Sequence, residues 1–192
     1  MNYTEGTQFA KVRAVQAPVD AKRITVEEFF WYGCPHCYHL DSYVEAWRGT
    51  KPGDVDFARV PNSLGRDEGI IHDKVFYTAE VLGLSDKIHK PLFTAIHEQH
   101  QQLFTQTSLQ TFFTAMTGVL PDVFNNTFNG FAVGTKVTRA ENLAKAYGVA
   151  SVPTIVVGGK YYTNVAMAGG PDQTFNVVNF LVAKVRAERK GK

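Results

Sequence analysis

RITVEEFFWYGCPHCYHL, residues 23–40, changes its periodicity at Gly33. Residues 23–32 are rich in β-branched and aromatic side chains and end in the unbroken apolar run Phe29–Tyr32. A run without alternation suits a central strand covered on both faces. Past the glycine, Cys37, Leu40, Val44 and Trp47 recur at three- and four-residue spacing, which is one face of a helix. Pro35 falls in the first turn of that helix, where its missing N–H would have had no partner. The only two cysteines of the chain, Cys34 and Cys37, therefore sit at a strand-to-helix junction.

Outward from this junction, DVDFARV (54–60) alternates as a strand does, with Pro61 as its stop. From about 66 to 147 the pattern is helical. Ile71, Val75, Ala79 and Leu82 form a stripe ending near Gly83, and Pro91 breaks, kinks or restarts the next stretch. Thr107 and Gln110 have capping-box spacing ahead of Leu109, Phe112, Phe113 and Met116, with Gly118 as the stop. Pro121 opens a helix bearing Phe124 and Phe128, and a last helix of this block runs from about 136 to 147. The phenylalanines recur at helical spacing, so core packing is expected of them rather than a ligand pocket. His72, His89, His97 and His100 fall on these helices and are expected at the surface. Then TIVV (154–157), Gly158–Gly159 and KYY (160–162) spell a tight antiparallel hairpin. Pro171 opens a closing helix with Phe175, Val178, Val182 and Val185 on one face. Strands flank the helices in sequence, so the chain reads as α/β. A sheet domain at 1–65 and 141–192 is interrupted by an all-helical insertion at 66–140.

The composition sets bounds on function. The formal charge is +2 and its basic residues are scattered, which argues against a nucleic-acid partner. The basic C-terminal cluster (Arg186, Arg189, Lys190, Lys192) suits the end of a helix. No apolar run approaches the roughly 20 residues of a membrane span. Met1 followed by polar residues reads as an added start, so a leader removed upstream is expected.

The cysteine pair admits four chemistries. Zinc wants four ligands and Cys-x-x-Cys gives two; His36 and His39 are near, but no second pair follows at the usual spacing. Haem attachment needs His directly after the second cysteine, where Tyr38 stands. A purely structural disulfide closing so short a loop would constrain little of the unfolded chain. Redox exchange remains, and Cys-x-x-Cys between a central strand and a helix is the thioredoxin-like arrangement. A thiolate at Cys34 would meet the unpaired N–H groups and partial positive charge of the helix start, which lowers its pKa. Cys37 lies on the buried stripe with Leu40, so Cys34 is expected as the exposed, attacked sulfur and Cys37 as the shielded resolving partner. His36 can donate to the Cys34 thiolate or stabilise it as a cation, which makes the disulfide a stronger oxidant; the bland alternative is a solvent-facing side chain. Val152-Pro153 precedes the hairpin strand, where proline is common in any case. Glu28 shares its strand face with Val26 and Phe30, so its carboxyl is expected at least partly under cover, able to move protons for Cys37; an exposed strand-edge charge is the alternative.

These residues resemble a known family. EFFWYGCPHCYHL (28–40), TEGTQF near the start, LGLSDKIHKPLF (82–93) and GVASVPTIVVGGKY (148–161), with the helical block between them, are similar to the DsbA family of thiol oxidases from the periplasm of Gram-negative bacteria. The resemblance implies a thioredoxin-like fold, a mixed sheet flanked by helices, with an inserted all-helical domain. It implies catalysis by Cys34, Cys37, His36 and Pro35, a cis proline at Val152-Pro153, and a buried acid at Glu28. It also implies a mixed disulfide at Cys34 with folding secreted proteins, reoxidation by a quinone-linked DsbB-like membrane protein, a monomer, and no cofactor beyond the redox disulfide. The family's lysine near the buried acid maps onto Arg59, which keeps the charge but gives up a proton less readily. The second, structural cysteine pair of many relatives is absent from this sequence. A disulfide isomerase or reductase of the same fold, and a non-catalytic holdase for unfolded chains, are the alternative readings.

Overall fold

The computed structural model describes residues 2–191. Its elements in chain order are β1 (Ala10–Lys11), β2 (Ile24–Phe30), α1 (Pro35–Arg48), β3 (Val55–Pro61), α2 (Asp67–Val81), α3 (Ser85–His97), α4 (Gln106–Thr117), α5 (Pro121–Phe128), α6 (Phe131–Tyr147), β4 (Thr154–Val157), β5 (Tyr161–Thr163), α7 (Val165–Ala168) and α8 (Pro171–Lys190). The strands form one mixed sheet in the order β1-β5-β4-β2-β3. By packing, the chain divides into two compact units. One takes the residues up to Phe30, His39–Val60 and those from Ala144 on; the other takes Trp31–Tyr38 and Pro61–Leu143. The sequence reading draws the helical block at 66–140, whereas by packing the segment bearing both cysteines groups with the helices.

In the sheet unit, the apolar run of β2 takes the interior place its lack of alternation predicts. It pairs antiparallel with β4, placing Val26 opposite Val157 and Glu28 opposite Ile155. One face of the sheet meets Leu40, Val44 and Trp47 of α1 and Phe175, Val178, Leu181, Val182 and Val185 of α8, all buried. Each such aliphatic or aromatic side chain contributes roughly 1.5–3 kcal/mol when removed from water. Trp47 stacks on Phe175 with centroids 5.3 Å apart, and its Nε1–H donates to Asn179 at 2.9 Å. The β4–β5 hairpin turns through Gly158 and Gly159 at φ +62° and +65°, the left-handed pair that a primed turn requires. Strand β1 and helix α7, of two and four residues, are too short to show a periodicity in the sequence.

The helical unit is built on aromatic contacts. Phe113, Phe124 and Phe128 form a row with centroids 5.0 and 5.4 Å apart, so these rings are core. Helix α3 continues through Pro91 as a single element. The cap of α4 is Thr105, not Thr107. Thr105 is extended at φ −126° and ψ 156°; its Oγ1 accepts from the Ser108 N–H while the Ser108 hydroxyl accepts from the Thr105 N–H. Met116 lies outside the expected stripe, 45% exposed, and Ile71 and Leu82 are only half-buried, while α2 buries His72 and Asp73 instead. His72 and His89 are therefore not surface residues. His72 Nε2 bonds the Leu103 carbonyl at 2.7 Å and His89 Nδ1 bonds the Tyr32 hydroxyl at 3.0 Å.

Candidate active site

Strand β2 ends at Phe30 and α1 begins at Pro35, so Trp31–Cys34 make the turn between them. The Cys34 N–H donates to the Trp31 carbonyl at 3.1 Å, and the Cys34 carbonyl accepts from Tyr38 at 3.1 Å, which sets the first helical turn. Gly33 is required here: a Cβ would fall 2.2 Å from the Trp31 indole, which folds back over it. The Arg66 guanidinium lies over that indole, 5.3 Å from its centroid.

Cys34 and Cys37 are both buried and in the reduced state. The Cys37 N–H points at the Cys34 sulfur, 3.3 Å away. The expected contrast between an exposed and a shielded sulfur survives only as a gradient: Cys34 is 8% exposed and Cys37 2%. Cys34 is held down at about 6, well below the free thiol range. A hydrogen bond from the Cys37 thiol is the largest cause; burial opposes it, and the N–H groups of Cys37 and His36 and the charge of His36 assist. Pro35 and His36 are exposed at the start of α1.

Glu28 is 2% exposed, more deeply buried than its strand alternation required. Arg59 Nε stands 3.4 Å from Glu28 Oε1, an ion-pair contact without hydrogen-bond geometry. Arg59 Nη2 meets Asp41 at 3.0 Å and Glu45 at 2.5 Å, both on α1. Burial pushes Glu28 up to about 7; Arg59 opposes that shift, and the charges of Asp41 and Glu45 reinforce it. The Val152–Pro153 bond is cis and Pro153 is buried directly before β4. Among the described residues, no group of three or more His, Cys, Asp or Glu side chains stands where it could hold a metal ion.

The family model of the DSBA-like thioredoxin domain matches residues 72–182. The thiol:disulfide interchange protein DsbA of Pseudomonas aeruginosa is 37% identical over 191 residues, covering 98% of this chain and 89% of the relative. Its counterpart from Burkholderia cepacia is 39% identical over 186 residues, covering 96% and 86%. The crystal structure of Pseudomonas aeruginosa DsbA superposes with a TM-score of 0.90 at 37% identity, covering 98% and 97% of the two chains. The DsbA oxidoreductase of Xylella fastidiosa gives 0.86 at 31% identity, covering 95% and 97%. The chain belongs to the DsbA family.

It is a thiol:disulfide oxidoreductase of DsbA type. Within this DsbA-family chain, the structure brings the predicted residues together in two groups: Cys34, His36 and Cys37 on the active-site turn, and Glu28 with Arg59 at the sheet. Two sets of residues escaped the sequence reading. Asp41 and Glu45 converge on Arg59; their i, i+4 spacing on the helix just past Cys37 was a usable signal. Tyr32, His89, Phe93 and His97 cluster beside the turn, with the Tyr32 ring 5.0 Å from Phe93 and 5.4 Å from His89. Their partners lie some 57–65 residues apart in sequence, beyond any local pattern.

Proposed function

We propose that this DsbA-family chain is the disulfide-donating oxidase of its group. A substrate thiolate attacks Cys34 Sγ of the oxidised pair, the Cys34–Cys37 bond breaks, and Cys37 leaves as a thiolate. A second substrate thiolate then attacks the substrate sulfur of this mixed disulfide. Cys34 departs with the electron pair, so the substrate gains one disulfide and the enzyme leaves as a dithiol. The substrates are secreted proteins that are still folding, in the periplasm. A quinone-linked membrane partner of DsbB type restores the disulfide, and the chain works as a monomer. Among the described residues no helix is long and apolar enough to cross a membrane. The supporting roles of Glu28, Val152 and Pro153 rest on the family resemblance.

One observation carries the oxidase reading: the helix-start amides, His36 and Cys37 all favour a thiolate at Cys34. A stabilised thiolate is a good leaving group and stabilises the reduced enzyme, which makes the disulfide form oxidising. The test is to mix the oxidised protein with a reduced, unfolded two-cysteine protein and follow disulfide formation. Transfer of one disulfide per enzyme is expected, and reduced Cys37→Ser mixed with the oxidised two-cysteine protein should form a mixed disulfide at Cys34, the Cys34 thiolate attacking the substrate disulfide and one substrate thiolate leaving. No transfer, or trapping at the other sulfur in Cys34→Ser, would overturn the assignment.

A further inference from the structure

Helix α3 ends at His97, whose ring is half-buried. Its Nε2 lies 2.7 Å from the carbonyl oxygen of Tyr32, two residues before Cys34 and 65 residues away in sequence. A carbonyl only accepts, so this nitrogen carries the proton. The flat of the same ring stacks on Tyr38, the residue after Cys37, with centroids 5.0 Å apart and planes 10° from parallel. Tyr38 is in turn tied to the turn and to the helix end: its N–H donates to the Cys34 carbonyl, and its hydroxyl donates to Glu98. Phe93, one turn earlier on α3, packs near both tyrosine rings, with centroids 5.0 Å from Tyr32 and 6.0 Å from Tyr38. One imidazole therefore grips the chain just before Cys34 and just after Cys37.

We propose that His97 is a positioning residue for thiol exchange: it holds both ends of the active-site turn, so that the amides at the start of α1 stay aimed at the Cys34 sulfur. Gly33 has no Cβ to restrict the backbone of this connection. A hydrogen bond on the carbonyl immediately before the glycine restrains the backbone where it would otherwise swing. With the bond lost, the Cys37 N–H, now 3.3 Å from the sulfur, is averaged over poorer geometries and the thiolate loses part of its support. This role deepens the oxidase reading and rests on Cys34 as the attacked sulfur.

Two variants separate the bond from the stack. His97→Phe keeps a flat ring for Tyr38 and loses the donor; His97→Gln keeps an N–H donor and loses the ring. In His97→Phe the equilibrium constant with glutathione should move toward a less oxidising enzyme by roughly three- to tenfold, the weight of one neutral hydrogen bond. The thiolate absorbance midpoint of Cys34 should rise with it, and His97→Gln should stay within about twofold of the wild type on both measures. A His97→Phe enzyme with wild-type equilibrium and midpoint overturns the proposal, as do equal shifts in both variants. Ring 15N spectra of the reduced wild type give a measurement that needs no variant: Nε2 of His97 is expected to be protonated, and a tautomer with its only proton on Nδ1 overturns the proposal. A wild type that transfers no disulfide sinks the oxidase reading; a normal wild type beside an unshifted His97→Phe sinks only the role of His97.

Discussion

Glu28 shares one guanidinium with two competitors. Asp41 and Glu45 take the Arg59 Nη2 contacts at 3.0 and 2.5 Å, leaving Glu28 the longer 3.4 Å approach to Nε. Its strand position, opposite Ile155, takes it out of water. Burial outweighs the single cation, and the folded-state value rises from 4.5 to about 7. A carboxyl whose folded value lies above its unfolded one stabilises the fold fully below the unfolded value. That contribution is lost as pH climbs through the folded value, here from about 4.5 to about 7. Glu28→Gln stays neutral throughout and should match the wild type near pH 4.5. Above pH 7 it should be the more stable by roughly 1–3 kcal/mol, Arg59 keeping its other two carboxylates. Denaturant melts at pH 5 and pH 8 measure this; a difference that does not grow with pH would show that Arg59 compensates Glu28 in full.

At the scale of elements, a second pair of acids joins α2 to α6 within the helical unit. Asp73 is fully buried, and neither of its oxygens has a donor. Its neighbour Glu141 accepts the Ser63 N–H at 2.8 Å, fixing the turn that follows β3. Among the described residues, the bond open to Asp73 is one it donates, as an acid, to Glu141. Burial first, and then that bond and the Glu141 charge, push Asp73 from 3.8 to about 10. The fold thus holds a proton that the unfolded chain releases between those values, and stability drains away as pH rises across that window. Asp73→Asn supplies a permanent N–H donor of the same shape. It should stabilise the protein at pH 7 by roughly 1–3 kcal/mol, the gain widening toward pH 9. Thermal melts of both proteins at pH 5, 7 and 9 test the trend, and a gain that shrinks with pH would mean the two carboxyls do not share a proton. Neither acid stood out in the sequence, because their pairing spans 68 positions and depends on how α2 lies against α6. The elements that could be read carried their signal locally: the unalternating run of β2, the 3-4-3 stripe after Gly33, and the glycine pair between β4 and β5. The α4 cap was misplaced by two residues because Thr105 and Thr107 both offer a hydroxyl, and only backbone geometry selects the first. The cysteine pair was legible because its chemistry sits in four consecutive residues. Its support by Tyr32, His89 and His97 is a product of folding.

At the scale of the whole molecule, the Cys34 setting couples redox state to stability. In the reduced protein the Cys34 value falls from 9.0 to about 6, because the Cys37 thiol, the helix-start amides and His36 all favour the anion. A depressed value stabilises the fold in full above the unfolded value of about 9, and that contribution is lost as pH falls through about 6. The oxidised protein has no thiolate at this position, and its disulfide closes too short a loop to restrain the unfolded chain by much. The reduced form should therefore be the more stable at pH 8, where the anion is nearly fully formed. The advantage should shrink steadily toward pH 5, where the folded protein too carries a neutral thiol. Paired denaturant melts of both redox forms at pH 5, 6.5 and 8 decide the matter, with the Cys34→Ser protein, which lacks both the thiolate and the disulfide, as the reference. An oxidised form that is equally or more stable at pH 8 would place the driving force for disulfide donation somewhere other than the Cys34 anion. A gap that stays constant with pH would do the same, because the linkage allows that anion only a contribution that follows its titration.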